Sequence, residues 1–359
     1  MVKCLIFRRI HRHYTDKRES NAATEEAGLS EKTTPEEQEH CSEGPTSMDD
    51  TIVMKITVCI PTYRRPERLA ELLNDISAQS KSCDEIVVVD NDVGGSARTV
   101  VEQFSNALAG RIPGMTVRYD VQPIKNISIT RNRTIALASG DWLAFLDDDE
   151  RAPPDWLELM FSAASQYQAD GILAPVVPVV PDSAPEWIKR GRFHDLPRAT
   201  TGQRVPANNF KFGNVLLRGD VLRAEPGPFD PAYGITGGED GDLLCRLELK
   251  GVKLVWSDAA VVTEPVDPKR LSKRWLWMRA MRGGQDFARH TLNGRYGSIG
   301  AAGKCIFLLR AAGQMLLAGL LALFSWPLGF HHAMRWATRV AANFGKLSVF
   351  WGWHYKEYA

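Results

Sequence analysis

Trp142-Leu143-Ala144-Phe145-Leu146-Asp147-Asp148-Asp149-Glu150 is an apolar run that ends abruptly in four carboxylates. The apolar half has the length and bulk of a buried strand, and the acidic half cannot share that environment. Neighbouring like charges repel, and an ionised carboxylate is costly to desolvate without a counter-charge. The residues allow two readings. One is a solvated acidic turn. The other is a site for a hard divalent cation with oxygen ligands, which as Mg²⁺ usually brings phosphate oxygens with it.

Working outward, the chain alternates between strand and helix from Ile56. Ile56-Thr57-Val58-Cys59-Ile60 is a short β-branched run stopped by Pro61. Pro66 suits a helix start, and Leu69, Leu72, Leu73 and Ile76 then fall on one helical face. Ile86-Val87-Val88-Val89 predicts a second strand ending in Asp90-Asn91, and Ala97, Val100, Val101, Phe104 and Leu108 mark the next helix. Val117-Arg118-Tyr119 predicts a third strand, 127–139 a helix and 142–147 a fourth strand. Fully apolar strands joined by helical crossovers imply an α/β fold with a doubly wound, mostly parallel sheet. In such sheets ligands sit at the carboxyl ends of the strands. Thr62-Tyr63-Arg64, Asp90-Asn91 and Asp147 to Asp149 all lie there. No GxGxxG follows the first strand and no GxxxxGK[ST] occurs, so neither a dinucleotide site nor a P-loop is supported.

The second half is less regular: 171–185 is rich in Pro and Val, and 191–214 mixes Gly, Arg, Asn and Phe as a long loop region would. Gly237-Gly238-Glu239-Asp240 opens a helix with carboxylates, and Val252 to Trp256 reads as a closing strand. Residues 269–295 carry eight Lys/Arg against Asp286 alone, interleaved with Trp275 and Trp277, which suits a solvated helix face, an anionic membrane surface or a diphosphate. Ala311 to Phe330 is almost wholly apolar, with Gln314 the one strongly polar side chain. It is long enough to span a bilayer, to lie in its interface or to form a core helix. The histidines, basic residues and tryptophans after it favour membrane contact.

The net charge of +1 over 359 residues gives no electrostatic case for nucleic acid. Residues 1–18 carry six Lys/Arg and 19–50 carry ten Asp/Glu, and the second segment is too poor in apolar bulk to fold. Six scattered cysteines without a CxxC pair suit a reducing cytoplasm, with Cys59 as a buried filler. The expected organisation is a disordered extension over 1–53, a catalytic domain over 54–268, a basic amphipathic segment over 269–300 and apolar, membrane-associated helices over 301–359.

In order, Thr57-Val58-Cys59-Ile60-Pro61-Thr62-Tyr63-Arg64-Arg65-Pro66, Val89-Asp90-Asn91, Asn126 through Arg131-Asn132 to Gly140-Asp141, Leu146-Asp147-Asp148-Asp149 and Gly238-Glu239-Asp240 resemble the motifs of family 2 glycosyltransferases with a GT-A fold. Each piece is weak alone; five in order are specific. The C-terminal pattern is similar to enzymes that build bacterial exopolysaccharide repeat units on a lipid carrier, such as the glucosyltransferases of succinoglycan assembly.

The resemblance implies an inverting enzyme that moves one sugar, expected to be glucose, from a UDP-linked donor to a lipid-linked saccharide at the cytoplasmic face of the inner membrane. Thr62, Tyr63, Arg64 and Asp90 would hold the donor, with Asp90 accepting from the base ring. Arg131 and Arg274 would lie near the base or diphosphate, and Asp147 at the ribose. Mg²⁺ or Mn²⁺ would be held by Asp149, with Asp147 alongside. Many relatives place a histidine after the last strand as a further ligand, but here the neighbourhood reads Val262-Thr263-Glu264-Pro265, so that either Glu264 substitutes or the metal is held by Asp149, diphosphate and waters alone. Asp240 would be the base, with Glu239 positioning the acceptor or tuning the base. Trp187, Asn214 and Phe212 would meet the acceptor, while Asp148 is left as a turn residue. Of the processive Gln-x-x-Arg-Trp motif only Arg274-Trp275 is kept, which argues for one sugar per encounter. Transfer directly to a polyprenyl phosphate, nucleotidyl transfer and an inactive assembly scaffold are the alternatives.

Overall fold

The computed structural model describes residues 54–356 apart from 109 and 113; the extension expected over 1–53 lies outside the described residues. Strands β1 (Ile56–Thr62), β2 (Glu85–Asp90), β3 (Thr116–Val121) and β4 (Trp142–Phe145) lie side by side in the order β3-β2-β1-β4, all parallel. Helices α1 (Pro66–Ser77), α2 (Arg98–Leu108) and α3 (Ile127–Leu137) make the crossovers. The sheet then departs from the purely parallel pattern. After helix α4 (Trp156–Gln166) come β5 (Gly171–Leu173), β6 (Val176–Val179), helix α5 (Glu186–Gly191) and β7 (Val215–Arg218). Strand β7 inserts antiparallel between β4 and β5, and after helices α6 (Gly219–Arg223) and α7 (Glu239–Leu249) strand β8 (Leu254–Trp256) closes the seven-stranded sheet beside β5. Strands β6 and β9 (Val262–Pro265) form a separate parallel pair.

The pleat explains why the sheet is covered on both sides. Val58, Ile60, Ile86 and Val88 face one core, with α1 and α4; Cys59, Val87, Val89 and Phe145 face the other, with α7. The α1 face, Leu69, Leu72, Leu73 and Ile76, is wholly buried, and each such side chain contributes about 1.5–3 kcal/mol.

Beyond β9 the chain forms three long helices: α8 (Lys273–Leu292), α9 (Ala301–Ser325) and α10 (Phe330–Ser348). Helix α10 lies between the other two, packed on α8 on one side and on α9 on the other. The α8–α10 crossing is backbone against backbone: a Cβ on Gly284 would stand 1.8 Å from the Ala342 carbonyl oxygen, and one on Gly345 would stand 2.0 Å from that of Met281. The 269–300 stretch is therefore not a free basic face. Its helix is clamped, with Leu276, Met281, Gln285, Ala288 and His290 buried.

Candidate active site

At the tip of β1, Arg64 adopts a left-handed φ of 55°. For a residue with a Cβ that conformation costs on the order of 1–2 kcal/mol, and it sends two adjacent arginines in opposite directions. Arg64 turns outward to Asp92 (3.0 Å), whereas Arg65 turns inward to Asp148 (3.0 Å) and Asp149 (2.7 Å). Asp148 is the fastener between β1 and β4: it accepts from the Thr62 hydroxyl (2.8 Å) and the Tyr63 amide (3.2 Å) besides Arg65. Burial pushes its carboxyl up to about 6, against the pull of Arg65. Asp149 is also raised, by burial first. Glu150, wholly enclosed, accepts from the Asp147 amide (3.1 Å) and so orients the turn from beneath. Its other oxygen occupies the space a side chain would need at Gly213, where a Cβ would stand 2.3 Å away.

Asp147, with a side chain 40 % exposed, is the open member of the cluster. It pairs with Arg131 from α3 at 3.0 Å, and the same guanidinium holds Glu239, from the first turn of α7, at 2.6 Å. Phe212 and Phe229 flank that guanidinium. Arg131 thus joins the aspartate tip to the Glu239-Asp240 pair. Helix α7 is launched by Gly237 and Gly238, with φ of 83° and 95°, a region glycine enters freely. Burial, then Asp240, push Glu239 up to about 7, with Arg131 pulling the other way. Its second oxygen is buried with no hydrogen-bond partner. Asp240 is half-buried, and the Gly241 amide donates to one of its oxygens at 2.7 Å. Two cations complete the cleft. Lys211 is held below its ordinary value by burial, with Asp240 and Glu264 as the anions that favour its charge. Arg270 pairs with Glu264, which itself acts on Asp149 and Glu150.

The structure corrects several expectations. Asp90 is fully enclosed and accepts from the Asp92 and Ala97 amides and the Tyr119 hydroxyl, so in this structure it shapes the loop after β2. Asn214 is 2 % exposed and spends its amide on Trp156 Nε1 and the carbonyls of Pro175 and Ala260; it is a clamp, with nothing left for an acceptor. Phe212 is core, edge-on to Phe145 and Phe229. Trp187 packs on Phe193 and Phe330 and so ties α5 to α10. Arg274 is exposed in the first turn of α8, and the cation that reaches the carboxylates is Arg270. Thr62, Tyr63, Arg131, Asp147, Asp149, Glu239, Asp240 and Glu264 do converge. Tyr63 presents its ring between Arg64 and Lys125. Sequence reasoning missed Arg65, Glu150, Lys211 and Arg270. Two of them carried a signal, Arg65 as the second basic residue of the β1 tip and Glu150 as the last of the four carboxylates after β4.

Among the described residues no three His, Cys, Asp or Glu side chains stand close enough to hold a metal ion unaided. The donors present, Asp147 and Asp149 with Glu264 facing them, are hard oxygens. They fit a divalent cation that keeps phosphate or water among its ligands.

Comparison with known proteins agrees with this layout. The family model for glycosyl transferase family 2 matches residues 57–219. The succinoglycan biosynthesis protein ExoM of Rhizobium meliloti is 36 % identical over 245 residues, 67 % of this chain and 76 % of that protein. The amylovoran biosynthesis glycosyltransferase AmsB of Erwinia amylovora is 29 % identical over 216 residues, 56 % of this chain and 66 % of its own length. Among solved structures, the mannosyltransferase PcManGT from Pyrobaculum calidifontis, in complex with GDP-Man and Mn²⁺, superposes with a TM-score of 0.56 at 18 % identity, covering 84 % of this chain and 88 % of its own. That likeness is one of fold.

Proposed function

Because this chain belongs to glycosyl transferase family 2, we propose that it moves one sugar, with inversion, from a nucleoside-diphosphate donor to a lipid-linked saccharide at the cytoplasmic surface of a membrane. Glucose and UDP are the expected sugar and nucleotide. Family membership replaces the nucleotidyl-transfer alternative. The observation that carries the reading is the pair of ion-paired hydrogen bonds made by Arg131: one buried guanidinium holds Asp147 and Glu239, so the tip of β4 and the start of α7 share one cleft.

In this reading the Tyr63 ring and Thr62 line the nucleoside side, and the open carboxylate of Asp147 accepts from ribose hydroxyls. Asp149, with Asp147 and Glu264 beside it, would hold Mg²⁺ or Mn²⁺, which supplies charge stabilisation for the departing diphosphate. Arg65 and Arg270, now neutralising Asp149 and Glu264, are the cations placed to turn toward phosphate oxygens. Asp240 takes the proton from the attacking hydroxyl. Its Gly241 contact orients one oxygen, and Glu239 keeps Arg131 in place without adding a full second charge near neutral pH. The apolar C-terminal helix and the basic side chains around it support a lipid-borne acceptor.

The test is sugar transfer to extracted lipid-linked acceptors with Asp240→Asn and Asp149→Ala. Each should lose about 10²-fold or more, the range of a general base or charge stabiliser. Asp240→Asn should still bind nucleotide sugar in the presence of Mn²⁺. Full activity of both variants would sink the mechanism. Absence of any nucleotide-sugar binding by the native chain would favour the scaffold, and product on bare polyprenyl phosphate would replace the saccharide acceptor.

A further inference from the structure

Ala301–Leu328 is long and apolar enough to cross a membrane, yet only 11 % of its most apolar window is buried within the protein. Its buried stripe is narrow: Ala311, Ala318 and Ser325, seven residues apart, face α10. The opposite face presents Ile306, Leu309, Leu316, Leu320, Leu323 and Phe324, all about half or more exposed and at helical spacing. Residues 287–356 carry eight Lys/Arg and no Asp or Glu, which complements an anionic leaflet.

Three contacts fix how this face can meet lipid. Helix α9 runs antiparallel to α10, with Phe307 against Phe350 at one end and Trp326 against Phe330 at the other. Helix α10 in turn runs alongside α8 in the same direction: Lys273 sits over Phe330, and Gln285 donates to the Ser348 hydroxyl (2.7 Å). Helix α8 is bolted to the catalytic cleft, since Arg289 donates to Thr236 (2.7 Å) and His290 Nε2 donates to the Gly238 carbonyl (2.9 Å). Were α9 to stand upright through the hydrocarbon, α10 would be immersed along its length, with Arg335, Arg339 and Lys346. The start of α8 or the 237–240 turn would follow it. Charges on that scale are not carried into a bilayer core.

We propose that α9 lies in the plane of one leaflet, as the outermost of three stacked helices, and that the enzyme is monotopic, held on anionic phospholipid by the α9 face with α10 as a spacer. This rests on the reading of the C-terminal helices as membrane-associated. It adds that no described helix crosses and that α8, which grips the cleft, is fixed at about two interhelical spacings, roughly 16–20 Å, from the α9 axis.

The experiment uses the full chain with Cys4, Cys41 and Cys305 changed to Ser and single probes at Ile306→Cys, Leu316→Cys or Leu323→Cys, each carrying an environment-sensitive fluorophore. Phosphatidylcholine vesicles with and without phosphatidylglycerol carry quenchers at shallow and deep acyl positions. In-plane docking predicts flotation that depends on phosphatidylglycerol, and one common depth for all three probes. A spanning helix would separate positions 306 and 323 by roughly 26 Å of depth, at about 1.5 Å per residue, and would overturn the proposal. So would probes shielded without lipid in a chain of doubled mass, since the face would then belong to a second copy. Leu316→Glu with Leu323→Glu should lower vesicle binding about tenfold or more. Nucleotide-sugar binding is measured on the same samples: its loss in the native chain counts against glycosyl transfer, whereas the probe depths alone decide the docking geometry.

Discussion

Removing the Arg131 guanidinium should make stability depend steeply on pH. Arg131 is the counter-charge for Glu239, whose side chain is 6 % exposed, and burial already raises that carboxyl from an ordinary 4.5 to about 7. In Arg131→Met the largest downward pull is gone, leaving a backbone hydrogen bond and Arg282, so Glu239 rises further. Between its unfolded and folded values the native state holds a proton that the unfolded chain has lost, so stability falls as pH rises, by about 1.4 kcal/mol per pH unit. In the native protein this fall runs from about pH 4.5 to about 7 and amounts to roughly 3 kcal/mol. In the variant it continues above 7. The gap between the two should be small near pH 5, where Glu239 is largely neutral in both, and should widen to about 1.5–3 kcal/mol by about pH 8–9, at about 1.4 kcal/mol for each pH unit above 7. Asp147, 40 % exposed, adds little because water screens it. Urea unfolding in mild detergent across that pH range reads the gap directly, and Arg131→Met combined with Glu239→Gln should flatten it. A gap that stays constant with pH would refute the reasoning, because lost packing on Phe212 and Phe229 carries no pH dependence.

Asn214→Ala should cost about 2–4 kcal/mol, read as a lowered Tm, because it strands Trp156 Nε1 and two carbonyls; acceptor KM should stay unchanged in the folded fraction. Gly213→Ala drives a methyl into the Glu150 carboxylate and should cost about 1–3 kcal/mol. Because Glu150 holds the Asp147 amide, donor Kd should weaken more than acceptor KM in titrations and kinetics. Chelation with EDTA should abolish transfer and added Mn²⁺ or Mg²⁺ should restore it. Arg65→Gln should tighten Mn²⁺ binding several-fold by calorimetry, because it removes the guanidinium that competes for Asp149.

The parts legible in the sequence were those in which a single physical cause dominates. β1, β2 and β4 are buried and largely apolar on both faces, and their polar tips stand out against that background. β7 was not legible: Val215-Leu216-Leu217 is too short to show a period, and it follows an irregular stretch. The carboxylate clusters announced a site, but their division of labour did not, because it depends on direction. Arg64 and Arg65 are identical side chains told apart by a φ of 55° at the first. Asp90 and Asp147 both end strands, yet the loop of 92–97 folds over Asp90 and leaves Asp147 open. Trp187 looked like a sugar platform because its partner, Phe330, lies far along the chain.

One helix connects the proposed acceptor chemistry to the proposed membrane face. Helix α8 grips the 236–238 turn through Arg289 and His290 on one side, and that turn sets where Glu239 and Asp240 point. On its other side Gly284 meets α10 with no room for a methyl, so the next layer cannot slide or tilt freely. A lipid-linked acceptor brings its hydroxyl to a height above the leaflet set by its own saccharide, and the base must be within about 3 Å of that hydroxyl. A misplacement of about 1 Å can cost on the order of 10²-fold in rate. A flexible tether would leave that height undefined at every encounter. Under the proposed function and docking, a hairpin packed without slack onto the helix that positions the base defines it once, and so turns membrane binding into part of acceptor alignment.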